Sequence, residues 1–237
     1  HTLHGGSDGS AVRNWKIVQY NKSMVTFLDK LPDGHMGFPG NLTVETTYKV
    51  AQSTIDIVIE ASTDKTTLCN FTNHSYFNLD GTKNIANHQL MVECDKVLPV
   101  DENGIPISGP IFAKDLDLDF KTGRTLNNNG KPIEVDHNFC ISNTRQNLRR
   151  NAFVTAKNIS LELFSTEPGL QVYTGKGLNS GNEKIWGKYP YREFAGIALE
   201  PQIWPDAPNQ IDFPNPLLQP GDKYKHHTRL KFSRTKI

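Results

Sequence analysis

An all-β protein, built as a large antiparallel sandwich, is what the sequence predicts, and three observations predict it. Apolar residues recur at every second position in one segment after another. Clusters rich in glycine and proline divide those segments. No stretch carries an i, i+3, i+4, i+7 apolar stripe long enough for a good helix. Successive strand side chains point to opposite faces, so two-residue alternation marks a strand with one face in a core.

In chain order, Trp15 to Leu28 is the first strand-like segment, followed by the breakers Pro32-Asp33-Gly34 and Phe38-Pro39-Gly40. Val44, Thr46, Tyr48 and Val50 then alternate with more polar neighbours, and Ile55, Ile57 and Ile59 alternate with Asp56, Val58 and Glu60. Asp80-Gly81 is a turn, His88 to Cys94 a strand, and Gly104 to Pro110 and Asn127 to Gly130 are turn-forming stretches. Leu161-Glu162-Leu163 repeats the alternation. Gly169 to Thr174 and Phe194 to Leu199 are further strands, divided by the breakers from Gly175 to Gly181. No internal repeat, low-complexity tract or linker splits the chain, so residues 1–237 are read as one domain, a length that all-β domains reach undivided.

Charge excludes several partners. The net charge is +1, and lysine and arginine are scattered rather than striped, so neither a nucleic-acid footprint nor attraction to an anionic membrane follows. Arg149-Arg150 and the tail from Lys223 to Lys236 are the basic clusters, read as solvated surface. No apolar run approaches the roughly 18 residues of a membrane span. The three cysteines, Cys69, Cys94 and Cys140, fit no zinc module, and a domain of this size needs no disulfides; a cytoplasmic setting is expected. Against it stand Asn-x-Ser/Thr triplets at Asn21, Asn41, Asn70, Asn73 and Asn158, and such short triplets recur by chance. His1-Thr2-Leu3 shows no signal peptide and does not begin with methionine, so this end is not expected to be the native start. Oligomeric state is not read from these features.

Several side chains are candidates for chemistry, each with a plainer alternative. Glu200 ends the apolar run Gly196-Ile197-Ala198-Leu199 and precedes Pro201. At a sheet end beside Leu199 and Trp204, lost hydration would make it a base near neutral pH; alternatively it is a solvated glutamate at a strand terminus. His74, in Asn73-His74-Ser75-Tyr76-Phe77, is either a general acid or a hydrogen-bonded histidine filling space among aromatics. Asp136 and His137 are adjacent, so in a strand only one faces a given site. Asp136 is preferred because a carboxylate accepts two hydrogen bonds from neighbouring hydroxyls; a turn aspartate is the alternative.

His4 lies in a glycine-flanked loop, open to a ligand or merely disordered. Gln171 offers an amide for hydroxyl recognition or is an ordinary strand residue. Trp204 and Phe38 could stack on a sugar's C–H face, though core or rim packing is their more usual role. Gly5-Gly6-Ser7-Asp8-Gly9 matches a nucleophile elbow in letters only, since neither the required strand nor helix flanks it. Gly175-Lys176-Gly177 lacks the third glycine and the helix of a dinucleotide loop. His226 and His227 diverge in a strand, and a metal site from His4, His74 and His137 has no spacing support.

Six blocks in order give these candidates a common frame: Leu3-His4-Gly5-Gly6, Asp33 to Leu42 (DGHMGFPGNL), Asn73 to Leu79 (NHSYFNL), Val135 to Phe139 (VDHNF), Glu167 to Gly175 (EPGLQVYTG) and Ala198 to Gln202 (ALEPQ). Through nearly its whole length the chain resembles the aldose 1-epimerases, or galactose mutarotases. The resemblance implies a large antiparallel β-sandwich of the galactose mutarotase type and interconversion of the α and β anomers of free aldoses, without metal or organic cofactor. By position, Glu200 matches the family's catalytic base and His74 its general acid. His4 matches the second histidine, which assists at the ring oxygen, and Asp136 and Gln171 match hydroxyl-binding positions. Family members carry a β-rich segment with a site arginine before the LHGG block, so the sequence is expected to be N-terminally incomplete. The rival expectations are a hexose-phosphate 1-epimerase and a non-catalytic sugar sensor on the same scaffold.

Overall fold

A computed structural model describes residues 2–183 and 189–234 of the chain. Its strands, in order, are β1 (Lys16–Tyr20), β2 (Met24–Leu31), β3 (Leu42–Ala51), β4 (Thr54–Thr63), β5 (Thr67–Leu68), β6 (Tyr76–Phe77), β7 (Gln89–Val92), β8 (Lys96–Val97), β9 (Ile111–Phe112) and β10 (Arg124–Thr125). There follow β11 (Asn127–Asn128), β12 (Lys131–Pro132), β13 (Asp136–Cys140), β14 (Arg149–Ala156), β15 (Ile159–Ser165), β16 (Gly169–Tyr173), β17 (Ile197–Gln202), β18 (Leu217–Leu218) and β19 (Tyr224–Arg234). Among the described residues the helices are short 3₁₀ turns, His35–Gly37, Ala113–Leu116 and Ala207–Asn209.

Two sheets make the sandwich. The larger has the order β1-β2-β3-β4-β19-β15-β14-β7-β10 and the smaller β6-β17-β16-β13-β8-β9, with β11-β12 and β18-β5 as separate pairs. One core joins them. Val44, Ile57, Ile59, Leu161 and Leu163 from the larger sheet share it with Val97, Phe139, Leu170, Val172, Ile197 and Leu199 from the smaller. Burial of such side chains, at about 25 cal/mol per Å² of apolar surface, drives the assembly.

The structure corrects three expectations. The segment Trp15 to Leu28 is a hairpin rather than one strand. Its chain reverses at Asn21, whose Oδ1 accepts from the Ser23 backbone N–H at 2.9 Å, and an apolar pattern does not reveal a turn made by an asparagine side chain. The basic tail is not simply surface. β19 lies between β4 and β15, with Tyr224, His226, Thr228 and Leu230 buried on one face. Lys225, Arg229 and Lys231 alternate with them and pair with Glu60, Asp56 and Glu162, so the charges masked a central strand. Lys236 lies outside the described residues.

The strand expected over Phe194 to Leu199 is displaced to Ile197–Gln202, so Glu200 stands inside it rather than at its end. Pro201 is tolerated there because β6 reaches only Ile197 and Ala198, leaving that edge open. Trp204 is core, not a free stacking face. It is 3% exposed, donates Nε1–H to the Pro168 carbonyl at 3.0 Å and packs edge-on to Phe213.

Candidate active site

Alternation along three adjacent strands of the smaller sheet sorts chemistry from core. Phe139, Leu170, Val172, Ile197 and Leu199 point inward, while Asp136, Asn138, Gln171, Tyr173, Glu200 and Gln202 line a cleft of ≈ 1250 Å³. Register aligns them in rows. Asn138 pairs with Gln171 and Gln171 with Glu200; one step along, Asp136 pairs with Tyr173, Tyr173 with Ala198 and Ala198 with Tyr76.

His74 arrives from a segment with no regular structure, residues 69–75, just before β6. Its Nε2 lies 3.5 Å from Glu200 Oε1. Burial, reinforced by His4, lowers the His74 pKa from 6.5, with Asp136 pulling weakly the other way. Burial, aided by the negative charge of Asp136, pushes the Glu200 carboxyl up to about 8. The two shifts together disfavour an ion pair in the free cleft. Near neutral pH the couple holds one proton, on Glu200, against a neutral imidazole, despite a separation short enough for a salt bridge. The side chains are thus closer than a pyranose is wide. A ring cannot lie between them, but two oxygens bonded to one carbon can each meet one of them.

The other predicted residues converge on the same place. His4, at φ +56°, stacks on His74 with centroids 5.4 Å apart and planes 21° apart. Its loop is held rather than loose: Arg13 donates Nε–H to Asp29 at 3.1 Å, Trp15 Nε1–H to the Ser10 carbonyl at 2.8 Å, and His35 Nε2 meets the Asp8 carbonyl at 2.8 Å. Gln171 donates Nε2–H to Asp136 Oδ1 at 2.7 Å, presenting an amide and a carboxylate side by side. Phe38 lines the cleft, half-buried. His137 takes the face opposite Asp136, and among the described residues no three potential metal ligands cluster.

Sequence reasoning passed over Tyr76, which also stacks on His74, at 5.0 Å, and meets Tyr173 edge-on at 6.2 Å. Burial pushes its hydroxyl up to about 12, so it stays a donor at any working pH. Its position two residues after His74 was the available signal, since i and i+2 share a face in extended chain. Asn138, buried with Oδ1 unpartnered, was also passed over, as a polar residue inside an apolar strand.

A family profile described as "Aldose 1-epimerase" matches residues 1–231. "Aldose 1-epimerase" of Escherichia coli (strain K12) is 35% identical over 243 residues, covering 97% of this chain and 70% of that protein. "Galactose mutarotase" of Homo sapiens is 37% identical, covering 98% and 69%. Among solved structures, an aldose epimerase homologue from C. elegans superposes with a TM-score of 0.91 at 28% identity, covering 100% of this chain and 73% of that one. Galactose 1-epimerase from Lactobacillus acidophilus superposes at 0.83 with 25% identity, covering 99% and 70%.

Proposed function

The chain belongs to the aldose 1-epimerase family, and from that premise we propose that it interconverts the α and β anomers of a free hexose such as galactose or glucose, with Glu200 and His74 as the acid–base pair. The observation that carries this reading is their 3.5 Å approach in a cleft that also presents Asp136, Gln171, Tyr76 and Tyr173. An anomeric hydroxyl and a ring oxygen share one carbon, so a pair this close can serve both. Glu200 takes the proton of the anomeric hydroxyl while His74 protonates the ring oxygen. The C1–O5 bond opens to the aldehyde, C1–C2 rotates, and the ring closes with roles reversed. Each positioned transfer contributes about 10²–10⁴ in rate.

In the free cleft the proton rests on Glu200, so it crosses to His74 as sugar binds. The two arrangements carry the same number of protons and share one pH dependence. Asp136 and Gln171 accept and donate to sugar hydroxyls, and His4 supports His74 at the ring oxygen. None of these steps needs a metal or organic cofactor. The described cleft lining holds no lysine or arginine, which favours a neutral sugar over a phosphorylated one. Residues 1–237 are taken as one domain. Among the described residues no helix is long and apolar enough to cross a membrane, and the three free, buried cysteines suit a reducing cytoplasm.

Polarimetry on freshly dissolved α-galactose tests the reading. Glu200→Gln is expected to lower kcat by about 10²–10⁴ with the far-UV spectrum unchanged. The parent's kcat/KM is expected to follow a bell whose alkaline limb lies at about 8, where Glu200 loses its proton. Near-parental rates in Glu200→Gln would remove Glu200 from the mechanism; sugar binding without faster anomer exchange in the parent would favour a sensor.

A further inference from the structure

His74 carries half of the proposed chemistry yet belongs to no strand, so something else must set its distance from Glu200. The pairing of Phe77 with Ile197 and Tyr76 with Ala198 defines an antiparallel register between the His74 segment and β17. Continued two steps back, that register sets His74 opposite Glu200. The backbone ladder does not continue that far. Past Tyr76 the segment leaves the strand, and on the β17 side Pro201 has no N–H to offer.

The two chains meet again at one point. The Asn70 side chain accepts from the Ile203 backbone N–H through Oδ1 at 2.9 Å and donates Nδ2–H to the Ile203 carbonyl at 3.1 Å. An amide that answers both polar groups of one residue copies what a neighbouring strand would supply. The segment is thereby pinned on both sides of His74, four residues before it by Asn70 to Ile203, the residue that follows β17, and two residues after it by Tyr76 to β17 itself.

We propose that Asn70 is a positioning residue, whose paired hydrogen bonds to Ile203 hold His74 Nε2 within reach of Glu200. The inference rests on the acid–base roles given above to His74 and Glu200. Other anchors of the segment do a different job. The Phe71 carbonyl accepts from Tyr224 Oη at 3.3 Å and faces His226 Nδ1 at 2.9 Å, both on the large sheet. They tie the segment to the core but not to the strand that carries Glu200. Tyr224 and His226 are also buried, so their loss disturbs packing, whereas Asn70 is exposed and its truncation opens no cavity.

The experiment compares Asn70→Ala and Asn70→Gln with the parent by polarimetry, thermal melting and NMR titration of His74. A displacement of about 1 Å in a reacting group can cost about 10²-fold. Asn70→Ala is therefore expected to lower kcat about 10–100-fold, with KM within about threefold and Tm down by no more than about 4–8 °C, as the loss of two hydrogen bonds allows. Asn70→Gln keeps the amide but lengthens the arm, and is expected not to restore kcat. The His74 titration is expected to move in both variants toward the ordinary histidine value as the ring leaves its buried place among Glu200, His4, Tyr76 and Asp136.

A kcat within twofold of the parent in Asn70→Ala, or full rescue by Asn70→Gln, overturns the proposal. So does a loss of rate that disappears when activity is expressed per folded molecule at the assay temperature, since that marks a structural role. If the parent itself proves inactive, the acid–base reading fails separately, and an unmoved His74 titration in both variants still decides against Asn70.

Discussion

Glu200 and His74 stand 3.5 Å apart but are held by different kinds of structure. Glu200 sits inside β17, flanked by β16 from Ala198 to Gln202, with Leu199 and Ile197 anchored in the core beneath it. His74 sits on an irregular segment kept in place by side chains: Asn70 on Ile203, Tyr224 on Phe71, and Asn73 donating Nδ2–H to the Tyr48 hydroxyl at 3.0 Å. The sheet side gains its precision from burial and is cooperative with the whole fold. The segment side gains it from a few discrete hydrogen bonds, each worth about 1 kcal/mol net. Damage should therefore show as lost stability on the first side and as lost turnover on the second.

The largest stability effect that tests this contrast is Leu199→Ala. Truncating a 2% exposed leucine in the shared core is expected to destabilise by about 2–5 kcal/mol, while kcat per folded molecule stays near parental. Chemical denaturation together with polarimetry at a temperature where both proteins are folded checks it. A large kcat loss with little change in stability would erase the distinction between the two sides.

Glu200 itself supplies the next effect, with the opposite sign. Its carboxyl is held up to about 8 in the folded chain, against 4.5 when unperturbed, so the native state binds that proton more tightly between those values. Its contribution favours folding least above about pH 8, where a buried charge must be kept, and the cost vanishes below about pH 4.5. Glu200→Gln removes the charge. It is expected to raise Tm by about 10–20 °C near pH 9 and hardly at all near pH 4, at about 1.4 kcal/mol per pKa unit and about 2–4 °C per kcal/mol. A melting series across pH that shows a constant difference would mean the carboxylate is not held uncharged by burial. An active-site group that costs stability is the usual exchange of stability for function.

The same contrast explains what the sequence disclosed. Ile55, Ile57 and Ile59 alternate because one face of β4 is in the core, so the strand was legible from spacing alone. Glu200 was marked as the polar end of an apolar run, although the strand continues through Pro201, a residue that normally signals a stop. β19 was hidden because its outward residues are cationic and its inward ones include His226 and Thr228, which do not look like core. On the irregular side, nothing periodic identified His74; the ordered NHSYFNL block did, through resemblance. Asn70 and Asn138 were not legible, because their importance lies in contacts to Ile203 and the cleft that only the folded chain brings together, whereas Tyr76 was legible only through its place two residues after His74.

Tyr48→Phe gives the smallest effect and the finest test of the difference. It deletes one hydroxyl, the acceptor for the Asn73 amide, while the ring keeps its edge-on contact with Phe27 at 6.1 Å. Loss of a single part-buried hydrogen bond is expected to cost about 0.5–1.5 kcal/mol. Because Asn73 adjoins His74, kcat is expected to fall about two- to fivefold, less than for Asn70→Ala, since Tyr48 holds the segment to β3 and not to the strand bearing Glu200. A loss equal to that of Asn70→Ala would mean that any anchor of the segment serves as well as another. The distance between the two side chains would then be a property of the segment's overall order, and the amide clamp at Ile203 would have no special claim on it.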